Sequence, residues 1–264
     1  SLYSQGVLRK ERTQSALARL ALSLFLALAW GTPALAYEVV PVPDGGTLTG
    51  SVKFGGTLPK LDPIPVRKNQ DVCGQSVPNE ALVLGPERGV RGSVILIEGV
   101  PRGKKAEGEL VLDNARCVFA PHVSALMAGA PARIRNSDPV LHNAHGILGG
   151  KTIFNSALST KGRVVDITAK LKEPGVVKVL CDAHTHMSGW IVVHDSPYFA
   201  VADEKGNFKI DGIPPGEYRV TMWHEGFTPK GVDKDGRPVY EEWRLQREVT
   251  IPRGGSAAVD FEIK

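Results

Sequence analysis

Within Cys181-Asp182-Ala183-His184-Thr185-His186-Met187 the chain gathers a thiol, two imidazoles and a thioether. Donors of this kind, so closely spaced, could surround one metal ion. Thiolate and thioether favour a soft ion, and imidazole suits both oxidation states of copper. The other place where histidines cluster is His142-Asn143-Ala144-His145, roughly 40 residues earlier. One distant His plus a loop with Cys, His and Met at three-residue intervals fits the two-His, one-Cys site with a weak axial Met found in electron-transfer copper centres. Zinc is the rival metal, but a structural zinc site takes four strong N/S ligands and a thioether is a poor one. The histidines are too few and scattered for an oxygen-reducing copper cluster.

A loop can act as a ligand set only if rigid elements hold its ends. Gly175–Leu180 and Gly189–His194 are rich in β-branched residues and predict two strands joined by the heptapeptide. Val177, Val179 and Cys181 share one face by period two, so the thiol should enter from the buried side. Elsewhere short strand signals recur at Thr47–Phe54, Gly92–Glu98, Glu109–Leu112, Arg116–Phe119, Pro131–Arg135, Lys151–Phe154, Gly162–Thr168, Arg219–Trp223, Arg247–Ile251 and Ala257–Ile263. Leu61–Lys68 is a further candidate, pushed to an edge by Pro63 and Pro65. With 29 Gly and 19 Pro in 264 residues to supply turns, the pattern predicts an all-β chain of sandwiches or barrels.

The one long apolar run lies near the start. Arg9, Lys10, Arg12 and Arg19 precede Leu20–Trp30, and Ala34-Leu35-Ala36 follows. Basic region, apolar run and small-x-small site predict a secretory signal over 1–36 and a periplasmic or otherwise exported protein. The run is interrupted by Gly31-Thr32-Pro33 too early for a membrane span, so none is expected after cleavage. The formal net charge is +4, and most of that excess lies in the signal. The remainder is nearly neutral and carries no nucleic-acid motif. Export allows Cys73 and Cys117 to pair and leaves Cys181 as the odd thiol, which a metal would shield from oxidation.

Residues of about 115–194 resemble a cupredoxin. Arg116-Cys-Val-Phe-Ala-Pro121, Ala128–Asn136, His142-Asn143 and the Cys181 loop follow that family's order of strand, strand, first ligand and ligand loop. The loop spacing is similar to amicyanin. The resemblance implies a Greek-key β-sandwich, one type 1 copper, and His142, Cys181, His184 and axial Met187 as ligands. It also implies that Asn143 directs a backbone N–H at the thiolate. Ala183 stands where many cupredoxins have proline, so its free N–H is expected to add a second N–H···S contact. His145 and His186 are expected at the rim of the site. His122, His194 and His224 read as ordinary structural histidines, and Trp190 as core.

Asp203, Gly206, Phe208, Ile210, Ile213, Pro215, Gly216 and Tyr218, with Gly46-Thr-Leu-Thr-Gly-Ser-Val52, resemble a carboxypeptidase regulatory-like (transthyretin-like) β-sandwich. The expected division is 37–75 and 197–264 as the two parts of that sandwich, with a cupredoxin-like copper domain inserted over 76–196. A Cys73–Cys117 bridge would staple the two near the insertion. Together the resemblances imply a non-enzymatic carrier of single electrons between redox partners, such as a c-type cytochrome or periplasmic oxidoreductase. The competing reading is a structural or binding subunit of an envelope assembly whose sandwich holds another metal or none.

Overall fold

A computed structural model describes residues 37–264. The expected signal segment, 1–36, lies outside the described residues. Among the described residues no helix is long and apolar enough to cross a membrane. The fold is all-β, and four sheets account for the two main cores.

The first sandwich pairs a five-stranded sheet with a four-stranded one. The five-stranded sheet runs in the order Lys151–Leu158, His142–Leu148, Gly175–Leu180, Ser188–His194, Val123–Met127. The four-stranded sheet runs Val164–Asp166, Ala132–Asn136, Leu110–Ala115, Val118–Ala120. Alternation decides which side chains meet between them. Leu112, Ile134, Ala144, Val177, Val179, Ile191 and Val193 are all buried in one cluster, while Arg133 and Arg135 point outward.

The second sandwich is built from both ends of the described chain. Asn207–Ile213, Gly46–Phe54 and the two short strands Ser256–Ala258 and Phe261–Ile263 form one sheet. Phe199–Val201, Val94–Ile97, Gly216–His224 and Trp243–Ile251 form the other. Their shared core holds Leu48, Val52, Phe54, Ile95, Ile97, Phe208, Val220, Met222 and Phe261.

Val94–Ile97 corrects the expected boundary. The run falls within the expected 76–196 copper domain, yet it pairs antiparallel with both Gly216–His224 and Phe199–Val201. All four of its residues are buried, because the strand is covered on both faces. Ile95 and Ile97 fill the second core, whereas Val94 and Leu96 pack with Val192 and Trp223 in the seam between the sandwiches. A continuous apolar run of this kind signals burial on both sides without saying which sheet claims it.

Residues 61–68 form less strand than expected. Only Ile64–Pro65 pairs, with Ser76–Val77, since proline removes ladder donors. This short hairpin encloses a single helical turn, Gln70–Cys73. Cys73 is bonded to Cys117, and the two join Val66 and Val77 in a small apolar cluster flanked by Val118 and Val140. The bridge therefore fastens the 64–77 segment onto the first sandwich.

Candidate metal centre

Strand register brings the distant histidine to the loop. His145 pairs with Leu180 and Gly146 with Val179 in an antiparallel ladder, so residues 142–144 run on beside the start of the Cys181 loop. By period two His142 shares its face with Ala144, and Ala144 lies in the same buried cluster as Cys181. His145, three positions along, falls on the opposite face.

Cys181, His142 and His184 come together, with one ligand atom of each within 4.8 Å of the others. The thiol sulfur is 4.0 Å from His142 Nδ1 and 3.9 Å from His184 Nδ1. Metal–sulfur and metal–nitrogen bonds of about 2.3 and 2.0 Å, splayed at a trigonal angle, separate the donors by about 3.7 Å. The donor set therefore fits a single ion. Met187 is buried in the same apolar cluster as Cys181.

The far side of each ring is also held. His142 Nε2 donates to Asp138 Oδ2 at 3.0 Å and His184 Nε2 to Asn69 Oδ1 at 2.9 Å. A proton fixed at Nε2 leaves the Nδ1 lone pair free for a metal, the arrangement typical of ligating histidines. Burial lowers the pKa of His142 even though Asp138 opposes it. Burial, reinforced by His142, His186 and Lys68, pushes His184 down to about 4. Neutral imidazoles of this kind are competent ligands.

Asn143 is the hub of the loop. Its backbone N–H points at Cys181 Sγ at 3.5 Å. Its side-chain oxygen accepts the N–H groups of Asp182 at 2.7 Å and Ala183 at 3.1 Å, and its amide donates to Asn155 and Asp182. The N–H of Ala183, expected to bond the sulfur, donates to the Asn143 oxygen, the stronger acceptor, and also faces the thiol closely enough to act on it. Burial raises the Cys181 pKa, opposed chiefly by the Asn143 N–H and less by those of His184 and Ala183.

The remaining expected residues lie around this core. His145 is engaged by Asp182 Oδ1 at 3.1 Å and Thr152 Oγ1 at 2.7 Å. His186 is buried and bonds the carbonyl of Cys117 at 3.1 Å, its ring edge-on to His184. The loop closes on itself, Cys181 N–H to Met187 O at 3.3 Å and Met187 N–H to His184 O at 2.9 Å.

Three contributors were missed from the sequence: Asp138, Asn69 and Arg237. Asp138 stands four residues before His142, a spacing that could have suggested it. Asn69 and Arg237 sit among other polar residues, in 67–71 and 233–237, far along the chain from the loop, and nothing singles them out. His122 is also more than a turn histidine. It bonds Ser188 O at 3.1 Å and pairs with Glu225, which accepts the Trp190 indole N–H at 2.8 Å. Trp190 thus lies in the seam between the sandwiches, against Trp223.

Comparison with known proteins gives partial likenesses. A family profile described as polysaccharide lyase family 4, domain II, matches residues 161–257. No curated protein matches. Among solved structures, a Cu-containing nitrite reductase from Thermus scotoductus SA-01 is 22% identical over 38% of this chain, which spans a quarter (25%) of that enzyme, with a TM-score of 0.30. A purple cupredoxin from Nitrosopumilus maritimus is 26% identical over 33% of this chain and 100% of its own, at 0.29. Amicyanin from Paracoccus versutus is 17% identical over 38% of this chain and 97% of its own, at 0.27.

Proposed function

We propose that the protein holds one copper ion at His142, Cys181 and His184, with Met187 as a weak further ligand, and passes single electrons between redox proteins outside the cytoplasm. The observation that carries this reading is the donor triangle, with sulfur 3.9 and 4.0 Å from two Nδ1 atoms whose rings are pinned at Nε2. Copper bound there would supply the Cu(I)/Cu(II) couple. The chain's own part is to hold the donors in one arrangement in a dry setting, so that little rearrangement accompanies electron transfer.

With three strong ligands from protein and the centre buried, no position is open for a substrate, and a carrier is favoured over a catalyst. The partner is taken to be a c-type cytochrome or a periplasmic oxidoreductase. The metal-bearing sandwich is taken as an insertion in a carboxypeptidase regulatory-like one, whose strands come from before and after it in sequence.

Visible and EPR spectra after addition of Cu(II), recorded beside Cys181→Ser, test the reading. An intense thiolate-to-copper band with narrow copper hyperfine splitting, lost in the variant, is expected. A tetragonal Cu(II) signal indifferent to Cys181 would replace this reading with the structural or binding one.

A further inference from the structure

The ligand loop is held from outside its own sandwich. Between the second-sandwich strands Gly216–His224 and Trp243–Ile251 the chain makes a separate hairpin, Pro229–Val232 with Pro238–Tyr240. Its turn is Asp233-Lys234-Asp235-Gly236, with Gly236 at φ 77° where a side chain would be strained. Asp233 Oδ1 accepts the N–H groups of Asp235 and Arg237 at 2.9 Å each. The turn thus delivers Arg237 to the loop.

The Arg237 guanidinium is almost wholly buried, its side chain 5% exposed. Nη2 donates to the carbonyl of Cys181 at 3.0 Å and Nε to that of Thr185 at 3.2 Å. Nη1 donates to Asp235 Oδ2 at 2.6 Å, with Asp233 at 3.8 Å. The turn acids offset the charge and fix the plane of the fork, and the other edge grips two carbonyls that bracket His184.

Asn143 and Arg237 complement each other. Buried backbone groups need partners. Asn143 accepts the N–H groups of Asp182 and Ala183, while Arg237 supplies donors to the carbonyls of Cys181 and Thr185. One side chain comes from each sandwich, and neither uses a metal.

We infer that Arg237 is a positioning residue of the metal centre, through which the second sandwich holds the Cys181–Met187 loop closed before any metal arrives. This rests on the reading of that loop as a ligand set. The grip is geometric: two carbonyls are bridged by one rigid fork, which a lysine ammonium with the same charge cannot span.

Cys181 reports on the grip directly. It is the one cysteine outside the disulfide and is fully buried, 0% exposed, so a thiol reagent reaches it only when the loop opens. The test is the rate at which the metal-free protein reacts with an aromatic disulfide reagent, in wild type, Arg237→Met and Arg237→Lys. Cooperative unfolding by circular dichroism establishes that each variant is folded.

Both variants are expected to react at least tenfold faster than wild type and, once given Cu(II), to show a shifted thiolate band and broader hyperfine splitting. Should Arg237→Met not fold, Arg237→Lys, which keeps the stem and the charge, decides alone. A folded variant reacting within twofold of wild type overturns the inference. So does wild-type behaviour in Arg237→Lys, since charge would then suffice. If wild type itself forms no thiolate–copper band, the copper reading fails while the labelling rates still decide the grip.

Discussion

Asp138 binds His142 through one carboxylate oxygen: Oδ2 lies 3.0 Å from Nε2 of a ring that is fully buried. The same oxygen accepts the backbone N–H of Cys117 at 2.8 Å, and Oδ1 that of Arg116. One side chain thus orients the ring of His142, a proposed ligand, and anchors the residue that carries the disulfide.

Replacing that carboxylate separates its two duties. Asp138→Ala leaves the buried His142 ring N–H and the buried Cys117 N–H unpaired, at about 1–3 kcal/mol for each group left unsatisfied. Metal affinity is expected to fall by roughly 10–100-fold, read by competition with a chelator. Asp138→Asn keeps an acceptor and should recover much of the loss. An Asp138→Ala protein that binds copper as tightly as wild type would remove Asp138 from the centre.

The disulfide should matter both to stability and to the cover over His184. Its cysteines are separated by 44 residues, and constraining a loop of that size in the unfolded chain is worth about 4 kcal/mol. The double variant Cys73→Ala, Cys117→Ala is expected to lose about that much in denaturant titration. Water should also reach the His184 ring, visible as faster exchange of its ring N–H by NMR. Stability unchanged within about 1 kcal/mol would show that the segment stays down without its bridge.

Two seam histidines give stability opposite pH dependence. Burial pushes His224 down to about 4, with Glu225 opposing and His122 adding, and its Nδ1 accepts the Gly226 N–H at 3.1 Å. Between about pH 6.5 and 4 the unfolded chain binds a proton that the folded one refuses, so stability falls with pH by about 1.4 kcal/mol per unit. The stability gap between wild type and His224→Asn should therefore shrink by roughly 3 kcal/mol from pH 7 to 4. A constant gap would contradict this assignment.

His122 has the other sign. Burial lowers its pKa, but Glu225, with help from Glu80 and the Ser188 carbonyl, raises it overall. Stability from this pair is complete below the unfolded value of about 6.5 and is lost as pH rises through the higher folded value. His122→Asn should therefore cost most in mild acid and least in alkali, measured by urea unfolding at several pH values. A cost that grows with pH would mean the ring is neutral in the fold.

Parity along the strands made much of the centre readable from the chain itself. Val177, Val179 and Cys181 share the core face, and the odd spacing between His142 and His145 already separates their sides of the sheet. Asn143 was half readable: the cupredoxin resemblance implies its N–H toward the thiolate, but the reach of its side chain across to Asp182 and Ala183 depends on the register. Asn69 and Arg237 were not readable. They contact His184 from 115 residues away and Cys181 from 56, and one polar residue among several in a turn leaves no periodic trace. The Val94–Ile97 strand was recognisable as buried, but its sheet was decided by distant partners.

The stapled 64–77 segment leaves His184 only 1% exposed, and this bears on how quickly copies of the protein could trade electrons. For copper held at this centre, two molecules that collide cannot bring their His184 ring edges together, because Asn69 and its neighbours stand between. Self-exchange should then be slow, with separate NMR signals in a half-oxidised sample. Electrons would leave only toward a partner shaped to reach the centre by another side. Enclosure of this kind gives up speed among like molecules in return for selectivity between unlike ones.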